Sequence, residues 1–429
     1  MIMESHASQR VFPRRRVCDL KGASHMTELV LDQIIAGVAE IRGPTAARAL
    51  REKGIQDIHE IIDAREVGPL RDYVLGHLRH PLLKMAVLIG RDVLGWANDF
   101  YVDDYLILRI NFPYKVARLA DPKAENPGIG RLSESARMIF RERKTIDPVY
   151  DPKSYHRGHP PAAWAHGPHL DTWTGHSRDG RNIWWAISDV PAGSGMVLYP
   201  EFADETLPSD PRTLYIKAGY PLPKPTYLPM QAGEMLVFDP EILHGTHLNT
   251  TDKTRVAVSM RLNASKPKFD PTCFYAREFW RRASDIEAGK DEVLHLRRED
   301  NFETPVHLKP IVQPVSMPEL HGHFDLESGT IHAFLSDVGA TQRFIINAGP
   351  HRIIVVRSRG GLKAYSAFCP HYGIDLADGG SDENATYCPA CAIGFDLETG
   401  RSACGTFVLR PYKVREAEGA VTLEPSSTS

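Results

Sequence analysis

The chain has 429 residues, of which 42% are hydrophobic and 24% charged, and its formal net charge is -3 at pH 7. This composition is ordinary for a globular protein, and the length allows two or three domains with full cores. The near-neutral charge excludes strong electrostatic attraction to nucleic acid or an anionic membrane, and no apolar run approaches bilayer-spanning length. We therefore expect neither nucleic acid nor a membrane among its partners.

Residues 1–25 differ in character from the sequence that follows. They are rich in arginine, show little hydrophobic periodicity and run into Ser24-His25-Met26, which is typical of a cloning junction. We interpret them as a tag or leader and expect them to take no part in the fold. An organelle transit peptide is the alternative, but the acidic residues and the missing amphipathic stripe argue against it.

Helical periodicity begins at Thr27, where apolar residues recur at intervals of three and four as far as Ile41. Gly43 ends this helix, and further helices with the same spacing follow to about Trp96. We interpret residues 26–100 as a helical part that packs against the domain behind it.

The period changes to two at Tyr105, where YLILRINFPY predicts a strand with Arg109 and Asn111 on the same side. Residues 118–160 are rich in proline, glycine and charge, with a short helical patch. We expect them to form a loop that covers the active site and carries substrate specificity.

Short apolar segments then recur from Asn182 onward with turn residues between them: NIWWAISDV, GMVLYP, TLYIKAG, GEMLVFD and TRVAVSMRL. Such strands at regular spacing indicate a double-sheet jelly roll, which we assign to residues 101–295. A helix from about Cys273 through Trp280 to Ile286 is predicted to close this domain.

One motif in this region is typical of a metal site. His169 and Asp171 stand two residues apart, so in a strand both would point to the same side, and His244 would reach them from another strand. Two imidazoles and one carboxylate form the facial triad of non-heme Fe(II) oxygenases. His166 is out of strand phase with Asp171, and we leave it out. Arg255 can pair with the distal carboxylate of a diacid on the metal.

Two segments, HLDTWTGHSRDGRNIWWAISDVPAGSGMVLYP and GEMLVFDPEILHGTHLNTTDKTRVAVSMRL, resemble the Fe(II)/2-oxoglutarate dioxygenases of the phytanoyl-CoA hydroxylase-like branch, over residues 100–265. The resemblance rests on His169, Asp171, His244, Gly245, Thr246 and Arg255. It implies that His169, Asp171 and His244 are catalytic and bind Fe(II), and that Arg255 binds 2-oxoglutarate with Thr246 as a helper. It also implies that O2 is used to hydroxylate or desaturate a small molecule.

Four of the six cysteines lie in one C-terminal region: Cys369, Cys388, Cys391 and Cys404. Six cysteines in so long a chain do not indicate a disulfide framework. Their clustering indicates a metal centre in a reducing compartment, so we expect a cytoplasmic protein. Cys369 and His371, and then Cys388 and Cys391, place two ligands on each of two tight loops. The pattern resembles a Rieske domain, a strand-rich module that holds a 2Fe-2S cluster. We assign residues 321–429 to this β-sandwich, behind a linker at 296–320.

The sequence departs from the Rieske pattern at one ligand, because Cys391 stands where the second histidine is expected. A 2Fe-2S cluster with three thiolates and one imidazole, at a lower potential, is the preferred outcome, since all four positions carry competent ligands. A structural zinc in a Cys3His site is the second outcome, and loss of the metal is the third. Cys404 is a spare thiol.

These patterns predict a mainly β protein with helices that works as an oxygenase of a small molecule, with an auxiliary Rieske-type domain. A metabolite of secondary metabolism is our guess for the substrate, and a redox partner is compatible with the fusion. Two alternatives remain open. A Rieske-type oxygenase is disfavoured by the domain order and by the lack of a D-x-x-H-x-x-x-x-H run. A non-enzymatic, zinc-stabilised binding protein is disfavoured by the complete triad and Arg255.

Overall fold

The computed structural model describes residues 15–120, 166–174, 176–203, 205–209, 215–217, 220–268, 279–295, 317–336, 338–339, 342–358, 360–370, 375–382, 384–389, 391–402, 405 and 407–426. The chain folds into two compact units. The first unit comprises Met1–Tyr215 and Tyr227–Pro310, and the second comprises Ile216–Thr226 and Ile311–Ser429. The described part of the chain has no helix that is both long enough and apolar enough to cross a membrane.

Helices lead the first unit, where hydrophobic periodicity predicts them: α1 (Met26–Arg42), α2 (Pro44–Lys53) and α3 (Val67–Leu88). A further helix, α4 (Tyr114–Ala120), lies beyond the predicted ones. Gly43 separates α1 from α2 with a φ of 89°, a left-handed conformation that glycine adopts without strain. α3 buries Leu70, Val74 and Leu78 in the main core of this unit. The helical segment therefore covers one face of the sheet that follows.

The strands of the first unit are β1 (Arg15–Arg16), β2 (Tyr101–Asp103), β3 (Ile107–Asn111), β4 (His166–His169), β5 (Gly180–Ala186), β6 (Met196–Leu198), β7 (Thr226–Leu228), β8 (Glu234–Phe238), β9 (His244–Thr246), β10 (Arg255–Asn263), β11 (Phe279–Arg282) and β12 (Leu294–His295). The larger sheet has the order β1-β8-β5-β10-β2-β11-β12, with β3 also paired to β10. The smaller sheet has the order β4-β9-β6-β7. Together they form the jelly roll that the strand spacing predicts, so the expected fold class is confirmed.

Strand β10 lies at the centre of the larger sheet, and both of its faces are buried. Val256, Val258 and Met260 pack into the same core as α3, on the helical side. The opposite face carries Arg255 and Arg261, because successive side chains of a strand alternate between faces. Ala257 on that face packs in one cluster with residues of β6 in the smaller sheet. Two arginines therefore point into the space between the two sheets.

The N-terminal residues of the described chain differ from the expectation that 1–25 take no part in the fold. Strand β1 pairs with β8, and Val17, Leu20 and Ala23 are buried in the core. Their spacing of three places them on one side of the chain. The preceding arginines make the segment look polar, so this apolar pattern was not recognised in the sequence. Residues 15–23 thus contribute a short strand and an apolar contact to the first unit.

The helix predicted from about Cys273 to Ile286 is wrong in its central part. Trp280 lies in β11, which pairs with both β2 and β12, and its side chain is buried. The helix α5 spans only Ala283–Glu287. Pairing with two neighbouring strands stabilises the extended conformation of Trp280 more than its helical pattern does. Residues 269–278, which include Cys273, lie outside the described chain.

Two other expectations fall largely on undescribed residues. The loop at 118–160 lies outside the described chain except for the end of α4, so its covering role is untested. Of the predicted strand TLYIKAG, only 215–217 are described.

The second unit is built from β13 (Glu319–His321), β14 (His323–Phe324), β15 (Ile331–Phe334), β16 (Arg343–Ala348), β17 (His351–Ser358), β18 (Gly361–Ser366), β19 (Ala385–Tyr387), β20 (Gly394–Asp396), β21 (Pro411–Ala417) and β22 (Ala420–Pro425). Its sheet has the order β13-β16-β17-β18-β21-β22-β15-β14 around a core that includes Phe344, Ile353 and Leu423. A separate hairpin joins β19 to β20. This β-rich unit is the sandwich expected at the C-terminus.

Candidate metal centres

The structure brings His169, Asp171 and His244 together in the first unit. His169 and His244 lie directly opposite each other on the paired strands β4 and β9. The Oδ1 atom of Asp171 is 3.4 Å from Nε2 of His169 and 3.9 Å from Nε2 of His244. All three side chains are buried, and their ligand atoms lie within 4.8 Å of one another. Such a cluster of two imidazoles and one carboxylate fits a divalent metal such as Fe(II).

The sequence argument for the pairing of His169 with Asp171 differs from the geometry. Strand β4 ends at His169, and Asp171 is the first residue of a 3-10 turn that spans Asp171–Thr174. The backbone N–H of Asp171 donates to the carbonyl of Pro240 at 2.9 Å. The turn, rather than the two-residue period of a strand, therefore aims the carboxylate at the imidazoles.

Both imidazoles are held in the orientation that a metal ligand needs. Nδ1 of His169 donates to the carbonyl of Gly167 at 2.7 Å, and Nδ1 of His244 donates to the carbonyl of Ile242 at 2.9 Å. Because each proton is on Nδ1, each Nε2 presents a lone pair toward Asp171. Burial, helped by His169, lowers the pKa of His244 to about 4, so this ring is neutral at pH 7.

The carboxylate of Asp171 is ionised in its buried position. Burial raises its pKa, but His176, Arg261 and the two triad imidazoles outweigh that effect and leave the pKa well below its usual value. The two oxygens face different partners, since Oδ2 is 3.8 Å from Nε of Arg261. Oδ1 is thus the atom available to a metal.

His176 and Tyr215 adjoin the triad and were not singled out from the sequence. The backbone N–H of His176 donates to the carbonyl of Asp171 at 3.1 Å. The ring of Tyr215 lies 6.0 Å from that of His169, and a Cβ on Gly167 would come within 2.8 Å of it. The glycine between His166 and His169 is the one sequence signal of this close approach.

Arg255 is a buried cation with unused donors. It is 1% exposed; Nη1 donates to the carbonyl of Ser194 at 2.7 Å, and the guanidinium lies 5.6 Å from the ring centre of Trp184. Within the described residues, Nε and Nη2 have no hydrogen-bond partner. Burial, followed by repulsion from Arg109, lowers the pKa of Arg255 to about 9, which still leaves a cation at pH 7. A buried cation with free donors fits a carboxylate ligand.

Three more polar residues lie on strands near the triad and Arg255: Thr246 on β9, and Arg109 and Asn111 on β3. Thr246 is buried two residues after His244 on β9, so both point to the same side. Asn111 is the partner of Arg255 across the β3–β10 pair. Nε of Arg109 donates to the hydroxyl of Ser259 at 2.9 Å. This polar face of β3 and β10 agrees with the expectation that Arg109 and Asn111 share one side.

A second cluster lies in the second unit, where Cys369, Cys388 and Cys391 bring their sulfur atoms within 4.8 Å of one another. Each is 1% exposed. Cys369 follows β18, whereas Cys388 and Cys391 occupy the turn between β19 and β20. His371 and Cys404 lie outside the described chain, so the fourth ligand is not tested.

The turn that carries two of these thiols is tightly wound. The N–H of Cys388 donates to the carbonyl of Ile393, and the N–H of Ala392 donates to the carbonyl of Cys388, both at 2.9 Å. Ala392 has a φ of 56°, which costs a non-glycine residue about 1–2 kcal/mol. Burial and then Cys369 raise the pKa of the Cys388 thiol, and burial likewise raises that of Cys391. Buried thiolates therefore need a cation beside them, which a metal cluster supplies.

Two regions of the chain match known families. Residues 116–257 match the family Phytanoyl-CoA dioxygenase (PhyH), and residues 330–408 match the Rieske 2Fe-2S domain. The first match contains the triad and Arg255, and the second contains the three clustered cysteines and His371. A phytanoyl-CoA dioxygenase domain implies Fe(II) and 2-oxoglutarate, and a Rieske domain implies a 2Fe-2S cluster.

Solved structures show more distant similarity, and a search of curated proteins found no match. The ferredoxin of carbazole 1,9a-dioxygenase from Nocardioides aromaticivorans IC177 has 21% identity and a TM-score of 0.20, covering 22% of this chain and 94% of its own. The Sphingomonas yanoikuyae B1 ferredoxin has 20% identity and a TM-score of 0.18, covering 20% and 86%. The non-heme alpha ketoglutarate dependent epimerase SnoN from nogalamycin biosynthesis has 13% identity and a TM-score of 0.26, covering 46% and 59%.

The order of the two matches along the chain places the oxygenase-type region before the iron–sulfur region. The chain therefore carries, in this order, a region that matches the phytanoyl-CoA dioxygenase family and a region that matches the Rieske 2Fe-2S domain.

Proposed function

We propose that this protein hydroxylates a small-molecule substrate with Fe(II), 2-oxoglutarate and O2, with desaturation as the second outcome. The observation that carries the proposal is the buried carboxylate of Asp171, whose Oδ1 faces the Nε2 atoms of two histidines. The family match supports an oxygenase domain with an iron–sulfur domain behind it. The borders expected from the sequence, with the oxygenase domain ending at 295 and the Rieske-like domain beginning at 321, are part of the proposal.

In this proposal His169, Asp171 and His244 hold Fe(II). Three ligands on one face of an octahedral ion leave the opposite face for 2-oxoglutarate and O2. Fe(II) with these two reactants supplies an oxidant that takes hydrogen from an unactivated carbon. The hydrogen bonds from Nδ1 of His169 and His244 to backbone carbonyls fix the rings before the metal arrives. The ionised carboxylate of Asp171 adds the negative charge that a divalent cation needs.

Arg255 takes the distal carboxylate of 2-oxoglutarate. Its Nε and Nη2 atoms, which have no hydrogen-bond partner in the described part of the chain, belong to one planar fork that matches the two oxygens of a carboxylate. The arriving carboxylate would offset the cost of burying the Arg255 cation. Thr246 is placed on the same strand as His244, and we assign it an assisting role.

Asp171 also bears on the kind of reaction. A halogenase needs the coordination position of this carboxylate for halide, so a filled position disfavours halogen transfer. Hydroxylation is accordingly the default outcome, and desaturation or ring closure follows the same hydrogen removal.

The Rieske-like domain has an auxiliary part in this scheme. We assign Cys369, His371, Cys388 and Cys391 as the cluster ligands. A 2Fe-2S cluster supplies single electrons, which suits the reduction of iron oxidised in uncoupled turnover. Three thiolates donate more charge than the two of an ordinary Rieske centre, so the potential is lower. A purely structural role is the alternative.

Mass spectrometry of a metabolite mixture tests this function. Reactions with and without 2-oxoglutarate are compared, with Asp171→Ala as a second control. A metabolite that gains one oxygen only in the complete wild-type reaction supports hydroxylation, and one that loses two hydrogens supports desaturation. Identical mixtures in all reactions would contradict the proposal.

A further inference from the structure

Arg261 is a second buried arginine on the same face of β10 as Arg255. The two residues stand six apart, so their Cα atoms are separated by about 20 Å along the strand. Arg261 is 9% exposed, and its Nε lies 3.8 Å from Oδ2 of Asp171. In the part of the chain that the structure describes, Nε and Nη1 of Arg261 have no hydrogen-bond partner. A charged group with unused donors thus lies beside the proposed iron ligand, at the end of β10 remote from Arg255.

Arg261 lines a cavity of about 10 Å³ together with His176, Asn182, Asn263 and Trp280, among others. Asn182 on β5 is its cross-strand partner, and the Nδ2 of Asn182 also has no partner among the described residues. Two side chains with unused N–H donors, Arg261 and Asn182, therefore line one small space. The volume admits about one water-sized group, so the cavity fits a single acceptor oxygen of an end group rather than a whole substrate.

The balance of charge at the site favours an anion. Fe(II) and the cations of Arg255 and Arg109 carry four positive charges between them, and Arg109 also repels Arg261. The carboxylate of Asp171 and the two carboxylates of 2-oxoglutarate carry three negative charges, so one positive charge is left over before Arg261 is counted. The Arg261 cation then has no counter-charge of its own, because Asp171 is already shared with the metal. A buried cation without a counter-charge is costly, and an anionic group on the substrate removes that cost.

We propose that Arg261 and Asn182 form a subsite for a carboxylate on the substrate. Because the cavity admits about one water-sized group, it takes a single oxygen of a flat carboxylate more readily than part of the bulkier phosphate. Arg261 is then a specificity-determining residue that contacts the substrate on one side and Asp171 on the other. This inference rests on the proposed function, because the charge balance includes Fe(II) and 2-oxoglutarate.

The test uses full-length protein loaded with Fe(II) and 2-oxoglutarate, and a library in which every carboxylic acid is paired with its primary amide. Stimulation of succinate formation and the shift in melting temperature are measured for each compound. We expect the compounds that respond to be acids, while their amides have no effect. Arg261→Gln should weaken the response to those acids about tenfold or more, and Arg261→Lys should weaken it less. Arg282→Gln, at an exposed arginine of β11, is the matched control.

Each contrary result has a separate meaning. Amides that respond as often as acids, a library without active acids, or an unchanged response in Arg261→Gln would overturn the carboxylate subsite. A loss of 2-oxoglutarate affinity in Arg261→Gln equal to that in Arg255→Gln would also overturn it, since Arg261 would then bind the co-substrate. Wild-type protein that forms no succinate at all under Fe(II) and 2-oxoglutarate would instead overturn the proposed function.

Discussion

Replacement of Arg255 by glutamine should sharply weaken the binding of 2-oxoglutarate. The wild-type side chain offers a positive charge and two buried donors that have no partner among the described residues, and glutamine keeps at most part of the donor capacity. Hydrogen bonds to a charged group contribute about 1.5–3 kcal/mol each where water is excluded. Loss of one such interaction corresponds to a rise of about 10-fold to 150-fold in the 2-oxoglutarate concentration needed for half-maximal rate.

The assay is succinate formation as a function of 2-oxoglutarate concentration, with an anaerobic titration of 2-oxoglutarate into the Fe(II)-loaded protein as a direct measure of affinity. Arg255→Lys should fall between wild type and Arg255→Gln, because lysine keeps the charge but lacks the planar fork. Arg282→Gln removes an exposed arginine and should follow the wild-type curve. An unchanged 2-oxoglutarate dependence in Arg255→Gln would refute the assignment and move the role to Arg261 or Arg109.

Three further predictions concern the second unit. Purified protein should contain iron and acid-labile sulfide. Colourless protein that contains zinc and no sulfide would contradict the cluster and support the structural zinc site. Cys391→Ala should lose activity faster during turnover, with ascorbate restoring it, whereas low yield and stability without an ascorbate effect would indicate a structural cluster. Burial raises the pKa of Asp382, but the ion pair with Lys224 at 2.6 Å and the other donors lower it to about 2. Because this pKa is below the unfolded value, the stabilisation is present above pH about 4 and lost as pH falls toward 2. Asp382→Asn should therefore cost about 1 kcal/mol at pH 7, measured by thermal unfolding, and a cost that persists at pH 2 would contradict this.

The candidate metal ligands could be selected from the sequence because few residue types bind metals. His169, Asp171 and His244 could be selected from the sequence by type and spacing, and the structure brings them together. The two-residue spacing of a strand, which suggested that His169 and Asp171 lie together, is not what aligns them in the structure. The turn at Asp171 depends instead on a hydrogen bond to Pro240, in a distant part of the sequence. Ligand chemistry limits the residue types that can form a metal site. Contacts between distant parts of the chain set the geometry in which those residues meet.

Other features depend on contacts between distant parts of the chain and have weak local signals. Val17 and Leu20 are buried by partners far along the sequence, although their arginine-rich neighbours indicate an exposed leader. Trp280 follows a helical pattern but pairs as a strand. Lys224 lies within the sequence assigned to the jelly roll, yet it belongs to the second unit, where it pairs with Asp382. In the sequence, Arg261 is one residue of a buried strand. Only the structure shows that its Nε and Nη1 have no hydrogen-bond partner among the described residues.

The most direct test of the oxygenase assignment is Fe(II)-dependent conversion of 2-oxoglutarate to succinate by the wild-type protein and by Asp171→Ala, with Asp252→Ala at an exposed carboxylate as the control. We predict succinate formation by wild type and by Asp252→Ala that stops when Fe(II) is chelated. Asp171→Ala should bind Fe(II) more weakly and form no succinate above background. Succinate formation by Asp171→Ala at the wild-type rate, or none by wild-type protein supplied with Fe(II), would contradict the account.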